Sequence, residues 1–203
     1  MNPQLEAKQN RRFPVVSNAQ LMPFGDGQAK YVEDFFVSEV ALAEGQSAYH
    51  LFIGAETAVN RKYHENGVLF EHGGNGLVTG LRIEILTSAR DQIDYATPAT
   101  VTALNAFANS MYGVMSIGDR DLSKILIREY LPTVIAATGV IQQNPQNPMN
   151  HDNVKRFAGG GIMLNKDTLF KLKFEALYGY TTAAALAGYK LRATVFGRTI
   201  IPK

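Results

Sequence analysis

Alternation of apolar and polar side chains is clearest near the end of the chain, in 166-KDTLFKLKFEAL-177. One face of this stretch is apolar and carries Phe170, Leu172, Phe174 and Ala176. The opposite face is charged and carries Lys171, Lys173 and Glu175. A period of two residues is that of a β-strand, and one wet face with one buried face is typical of an antiparallel sheet that packs on a core. The stretch therefore predicts an amphipathic antiparallel strand.

A second stretch with the same period follows after a short link, in 189-YKLRATVFGRTII-201. Its inward positions are Tyr189, Leu191, Ala193 and Val195. Its outward positions are polar and are Lys190, Arg192 and Thr194. The two stretches predict a C-terminal pair of neighbouring strands, with Leu172 and Leu191 both facing the core. The link from Tyr178 to Gly188 is rich in small residues and fits either a long hairpin tip or a short helical excursion.

Four shorter runs closer to the amino terminus show the same alternation. The first places on one face Phe36, Ser38, Val40 and Leu42. The second groups Tyr49, Leu51 and Ile53, and the turn residues Glu44-Gly45 between the two runs predict a hairpin. A third short strand is predicted over Gly67 to Glu71. The fourth alternates between an apolar and a charged face, with Leu81, Ile83 and Ile85 opposite Arg82 and Glu84.

Two segments have the spacing of a helix. Thr97-Pro98 is a capping residue followed by proline at the first helical position, which predicts a helix from there to Gly113. Its apolar side chains recur every three or four residues, at Val101, Leu104, Phe107, Ala108 and Met111. A second helix is predicted over Asp119 to Leu131. Ile125 and Ile127 also alternate, so this segment is compatible with a strand as well.

These elements predict an all-β fold, an antiparallel two-sheet sandwich of jelly-roll type with one or two short helical insertions. All-β domains of this length commonly form one unit, and the chain has 203 residues. We expect a flexible N-terminal arm over residues 1–12 and a single β-sandwich domain over residues 13–203. The arm is predicted because residues 1–12 are mostly polar and carry Lys8, Arg11 and Arg12.

Composition narrows the range of functions. The chain has no cysteine, and 20 basic residues against 18 acidic ones give a net charge of only +2. A dedicated nucleic-acid-binding domain is usually far more basic, so we expect weak or no direct nucleic-acid binding. The amino terminus, MNPQLEAKQNRRF, has no apolar segment of a secretory leader, and no apolar run reaches the length of about 18 residues that suits a membrane span.

The residues that could carry chemistry do not form a recognisable site. No two of His50, His64, His72 and His151 have a spacing typical of metal ligands, although His64-Glu65 and Glu71-His72 could converge across a hairpin. Glu84, Asp91 and Asp94 do not follow a calcium-loop pattern, and no serine has the G-x-S-x-G setting. The glycine clusters at 73–76 and 159–161 lack the residues of a phosphate loop and predict turns. We therefore predict that the protein is not an enzyme and that it has no catalytic residue, no cofactor and no metal.

A proline- and asparagine-rich segment, IQQNPQNPMNHDNVKRFAGG, fills residues 141–160, and its prolines, asparagines and glycines predict no regular element there. Long connections of this kind are usually functional or covered by a partner. We expect this segment and the N-terminal arm to contact neighbouring copies. The predicted assembly contacts are Lys8, Arg11, Arg12, Lys155 and Arg156.

The basic polar arm, the alternating strands and the long proline-containing loop together resemble the layout of coat proteins of icosahedral viruses, including those of tailless bacteriophages. The resemblance concerns the general layout of the chain, and it carries no individual functional residue with it. It implies a structural protein of a phage capsid shell, made in the host cytoplasm and located in the virion. Its partners would be other copies of itself and other virion proteins.

An alternative is a jelly-roll module that binds carbohydrate or another ligand, with Tyr178, Tyr180 and Tyr189 as a stacking platform. The absence of tryptophan counts against this alternative. A cupin-like enzyme would share the sandwich but would need clustered histidines, which the sequence does not supply.

Overall fold

The structure of the protein is a computed structural model, and it describes residues 29–53, 67–70, 75–89, 97–131, 133–135, 141–143, 154–165 and 168–202. Within these ranges the fold is mostly β, and every pairing between strands is antiparallel, as predicted. The strands are β1 Ala29–Ala41, β2 Ala48–Leu51, β3 Gly76–Leu86, β4 Met111–Ile117, β5 Arg120–Leu126, β6 Thr133–Ile135, β7 Ile141–Gln143, β8 Lys155–Arg156, β9 Ile162–Leu164, β10 Phe170–Ala176 and β11 Lys190–Pro202. The helices are α1 Pro98–Ser110 and α2 Ile127–Tyr130, with short 3-10 helices at Ala158–Gly160 and Ala184–Leu186.

Two main sheets contain most of these strands. The first has the order β1-β11-β3-β8, and β9 also pairs with β3. The second has the order β2-β10-β4-β5. The short strands β6 and β7 pair with each other in a separate two-stranded sheet.

The pairing of the strands is nested along the chain once β6 and β7 are set aside. The first strand pairs with the last, β1 with β11, and the second with the one before it, β2 with β10. The third strand, β3, pairs with β8 and β9, and the innermost pair is β4 with β5. Two further pairings, β11 with β3 and β10 with β4, join these strand pairs into the two sheets. Strands that follow each other in sequence therefore mostly lie in opposite sheets.

A single hydrophobic cluster takes side chains from both sheets. The second sheet contributes the alternating inward residues that the sequence predicts for β10, Phe170, Leu172 and Phe174. The first sheet contributes the predicted inward residues of β11, Leu191, Ala193 and Val195. All six are at most 1% exposed, so the predicted inward faces are confirmed, whereas Thr194, predicted on the exposed outward face of β11, is buried. Two sheets that share one core are consistent with an all-β sandwich.

Both predicted hairpins are wrong. β1 lies in the first sheet and β2 in the second, and the same holds for β11 and β10. Leu172 and Leu191 are buried as predicted, but they lie in opposite sheets and not on neighbouring strands. An amphipathic strand can bury its apolar face in either sheet, so alternation alone does not select its partner. The link between β10 and β11 contains the 3-10 helix Ala184–Leu186, which agrees with the helical excursion.

The second predicted helix is also wrong. Residues 120–126 form β5 against β4, and only Ile127–Tyr130 is helical. Pairing with a strand already in the sheet buries Ile125 and satisfies backbone groups, and this tertiary contact outweighs a weak helical pattern. The first helix begins at Pro98 as predicted but ends at Ser110, because Met111 already belongs to β4.

Three smaller predictions also need correction. The third predicted strand is reduced, in the residues described, to a single bridge between Val68 and Leu169. Ile53 leaves the face of Tyr49 and Leu51 and is 41% exposed, because β2 ends at Leu51 and Phe52 has a positive φ of 61°. The segment 141–160 is not free of regular structure, since it contains β7, β8 and a 3-10 helix.

Candidate functional site

A cleft of about 490 Å³ opens at one end of the second sheet, on the face directed away from the core. Its position follows from the strand register, which places Glu175 of β10 between Ala48 of β2 and Tyr112 of β4. Because Phe174 points into the core, its neighbour Glu175 must point to the outer face. The lining residues are Ser47, Ala48, Tyr112, Glu175, Ala176, Gly179, Tyr180 and Thr181.

Glu175 is the centre of a small polar network in this cleft. Lys173 forms an ion pair with its Oε1 atom, and the Tyr112 hydroxyl donates a hydrogen bond of 2.6 Å to its Oε2 atom. The hydrogen bonds from Lys173 and Tyr112 hold the pKa of Glu175 below its ordinary value. The hydrogen bond to Glu175 in turn raises the pKa of Tyr112. The carboxylate therefore stays ionised at neutral pH and is held in a defined position.

Tyr180 also lines the cleft. Its ring packs at 6.3 Å, centre to centre, on the ring of Phe107 from α1, and burial raises its pKa. The loop that carries Tyr180 is attached to the core at Thr182. The Oγ1 atom of Thr182 is hydrogen-bonded to the Tyr49 hydroxyl at 2.6 Å. Two backbone hydrogen bonds, from Gly45 to Thr182 and from Thr182 to Gln46, complete this attachment. The cleft wall is thus held by buried contacts of the core.

A tight turn beside the cleft presents Tyr178 to solvent. Tyr178 and Gly179 have φ values of 54° and 70°, and the Tyr180 N–H donates to the Leu177 carbonyl at 3.0 Å. Positive φ at both central residues is the property of a type I′ turn. For a residue with a Cβ atom this conformation costs about 1–2 kcal/mol. The Tyr178 side chain is fully exposed, at 101%, and makes no hydrogen bond or ring contact with the residues described.

The tyrosines of the predicted stacking platform do not share one surface. Tyr178 is fully exposed and Tyr180 lines the cleft, whereas Tyr189 packs against the hydrophobic cluster. Tyr112 and Glu175 were not predicted as site residues. Glu175 was placed correctly on an outward strand face, and Tyr112 fell inside the predicted first helix. The register between β4 and β10, which brings them together, has no local sequence pattern.

The predicted assembly contacts lie in different settings. Lys155 is half-buried on β8, where its ammonium group is 3.4 Å from Glu129 and 4.5 Å from the ring centre of Tyr130. Burial, and secondly the charge of Glu129, raise the pKa of Tyr130 to about 12. Arg156 follows on the same strand and is exposed. Lys8, Arg11 and Arg12 lie outside the described residues, and contact between copies through these five residues stays a prediction.

Of the histidine and acidic residues considered for chemistry, the structure describes His50 and Glu84. His50 is exposed on the outer face of β2, and Glu84 forms an ion pair of 3.1 Å with Arg82. His64, His72, His151, Asp91 and Asp94 lie outside the described residues. In the described part of the chain, no three histidine, aspartate or glutamate side chains are close enough to hold a metal ion. Gly159, Gly160 and Gly161 all have positive φ, which confirms the predicted turn.

No helix within the described ranges is both long and apolar enough to cross a membrane. Comparison with known proteins gives no match to a family model and no match to a curated protein. The fold and the site thus define an antiparallel two-sheet β protein with a tyrosine-lined cleft and an adjacent exposed tyrosine.

Proposed function

We propose that the protein is a self-assembling shell subunit of capsid type, built on a jelly roll. The observation that carries this proposal is the nested pairing of β1 with β11, β2 with β10, β3 with β8 and β9, and β4 with β5. Wrapping a ribbon with this nesting into two sheets produces the strand order of a jelly roll. Viral capsid proteins use this architecture, as do lectin domains and cupins. The proposed location is the virion, after synthesis in the host cytoplasm.

Apolar side chains near one sheet edge support contact with neighbouring copies. β5 is the outermost strand of the second sheet and pairs only with β4 among the described strands. Its residues Leu122 and Leu126 are 38% and 45% exposed, although leucine is mostly buried in folded proteins. Contact with a neighbouring copy would remove this apolar surface from water, which favours association.

Native mass measurement tests this proposal directly. Analytical ultracentrifugation and electron microscopy across a range of protein and salt concentrations should detect closed particles of discrete mass, many times the 22.3 kDa of one chain. Leu126→Asp should weaken assembly, because a charge would have to be buried in the contact. The same substitution should leave the melting temperature nearly unchanged, since the side chain is exposed in the subunit. A chain that stays monomeric under every condition contradicts the shell-subunit proposal.

A ligand-binding module is the second candidate, and the cleft is the observation that favours it. Two tyrosine rings and an ionised carboxylate, from Tyr112, Tyr180 and Glu175, can stack on and hydrogen-bond a sugar or another polar ligand. Calorimetric titration with a panel of oligosaccharides tests this candidate. Saturable binding by a monomer, lost in Glu175→Gln, would favour it over the shell subunit.

A further inference from the structure

We propose that Tyr178 of one copy inserts its ring into the cleft of a second copy, and that the two copies exchange this contact about a two-fold axis. The inference rests on the proposed function, because it assigns one of the contacts by which the shell subunits associate. It concerns a different surface from the β5 edge, so the two can be tested separately.

Tyr178 does not contribute its side chain to the packing of the described residues. Its backbone has a positive φ of 54°, which disfavours any residue with a Cβ atom. Asparagine, aspartate or glycine would suit this turn position better. Its side chain is fully exposed and contacts none of the described residues through a hydrogen bond or an aromatic ring. An exposed aromatic residue in a strained conformation is typical of functional sites, and tyrosine is enriched among residues that dominate interfaces.

The cleft complements a tyrosine side chain. Its lining combines small residues, Ala48, Ala176 and Gly179, with the aromatic residues Tyr112 and Tyr180. An inserted ring could pack edge-to-face on these aromatic residues. Its hydroxyl could donate to Glu175, because a carboxylate accepts about four hydrogen bonds and the described contacts use two.

The positions of Tyr178 and of the cleft favour an exchange between two copies. Gly179 and Tyr180, the two residues after Tyr178, line the cleft, yet the ring of Tyr178 itself is fully exposed and so lies outside its own cleft. The protruding Tyr178 ring and the cleft therefore lie side by side on one surface. Two such surfaces are self-complementary when related by a two-fold axis, which is the commonest symmetry of protein dimers. The attachment of the loop through Tyr49 and Thr182 reduces the entropy lost on docking.

Substitution of Tyr178 separates its effect on folding from its effect on association. Tyr178→Gly should raise the melting temperature by about 2–4 °C, because glycine adopts positive φ without strain. The same change should weaken the two-fold contact, measured by sedimentation equilibrium, by about 30-fold or more, as loss of a central aromatic residue does. Tyr178→Phe is the matched control, and it should keep most of the affinity because the ring remains. Unchanged association of Tyr178→Gly overturns the proposal.

Photo-crosslinking tests whether the cleft of the second copy is the site that Tyr178 contacts. Benzoylphenylalanine at position 178 keeps an aromatic side chain there, and an isotope-labelled second copy distinguishes crosslinks between chains from those within one chain. The expected crosslinks join position 178 to residues 47–48, 112 or 175–181 of the other copy. Crosslinks that fall elsewhere, or only within one chain, overturn the proposal.

The two proposals can fail separately. If the wild-type chain forms large particles and Tyr178→Gly forms them with equal affinity, the Tyr178 contact is wrong and the shell-subunit proposal stands. If the wild-type chain is monomeric in every condition, both fail. A monomer whose oligosaccharide binding requires Tyr178 would assign the residue to the ligand-binding alternative and overturn the inference.

Discussion

Gly67 shows how a single residue is constrained by space as well as by backbone conformation. Its φ is 86°, and a Cβ atom there would collide with the Phe52 carbonyl oxygen and lie 2.8 Å from the Phe170 carbonyl oxygen. Gly45 also has a positive φ, of 75°, but a Cβ atom would meet nothing within 4 Å. We expect Gly67→Ala to cost about 2–5 kcal/mol and Gly45→Ala about 1–2 kcal/mol in urea unfolding. Equal losses would contradict the close approach at Gly67.

Leu172 and Leu191 test the orientation of the two strands that the sequence predicts most clearly. Both are fully buried, so replacing either by alanine should lower the free energy of unfolding by about 2–5 kcal/mol. Lys171 and Lys190 are their half-buried neighbours on the other strand face, and alanine there should change stability by only about 0.5 kcal/mol. Equal effects at the two kinds of position in urea unfolding would contradict these strand faces, and larger losses at the lysines would mean that the faces are reversed.

The lowered pKa of Glu175 makes the contribution of this cleft residue to stability depend on pH. Lys173 and then Tyr112 lower its pKa in the folded protein, so its contribution to stability is present above the unfolded-state pKa and is lost as the pH falls through the lowered value. Lys173→Met should raise the pKa of Glu175 more than Tyr112→Phe does, because Lys173 is the larger cause. NMR titration of the Glu175 carboxyl carbon measures its pKa in both variants. The reverse order would mean that the tyrosine hydroxyl dominates the site.

At the level of elements, two ion pairs connect β11 with β1 in different environments. Arg192 donates two hydrogen bonds, of 3.2 and 3.0 Å, to Glu39, whose side chain is 6% exposed. Arg198 reaches Glu33 at 3.1 Å, but that side chain is 82% exposed. Arg192→Ala should cost about 3 kcal/mol because it removes two charge-assisted hydrogen bonds from a buried carboxylate, whereas Arg198→Ala should cost less than about 1 kcal/mol. Similar losses on thermal unfolding would contradict this difference in burial.

β5 is protected against direct pairing with a strand of another copy. Its register against β4 is interrupted between Met115 and Ser116, and Lys124 is exposed on the strand. Irregular pairing and lysine are both features that discourage strand addition at a sheet edge. Association through side chains, such as the exposed leucines of β5 or Tyr178, therefore suits this molecule better than extension of its sheets.

At the scale of the whole molecule, the order of tryptic cleavage tests how the segment around Lys155 is held. Lys155 lies between the buried residues Val154 and Phe157, and the Phe157 N–H donates to the Thr79 carbonyl at 2.9 Å. We therefore expect cleavage of the subunit after Lys8, Arg11 or Arg12 to precede cleavage after Lys155. Glu129→Ala should speed cleavage after Lys155, because it removes the ion pair to that residue. Equal rates at both sites, followed by mass spectrometry, would mean that β8 opens freely.

The sequence alone determined the local features of this fold. The apolar faces of β3, β10 and β11, the start of α1 at Pro98 and the turn glycines at 159–161 could all be predicted. Each depends on interactions within a few residues: side-chain alternation, the preset φ of proline and the freedom of glycine at positive φ. For the same reason the antiparallel, mostly β character of the protein could be predicted.

Only the tertiary structure decided which strands pair and where the cleft lies. β1 pairs with β11 across most of the chain, and Glu175 meets Tyr112 from a strand 63 residues away in sequence. Residues 120–126 form a strand because they pair with β4. The local sequence pattern contains no information about this pairing. Alternation specifies the face that a strand buries, but the partner of that strand is selected by packing between distant segments.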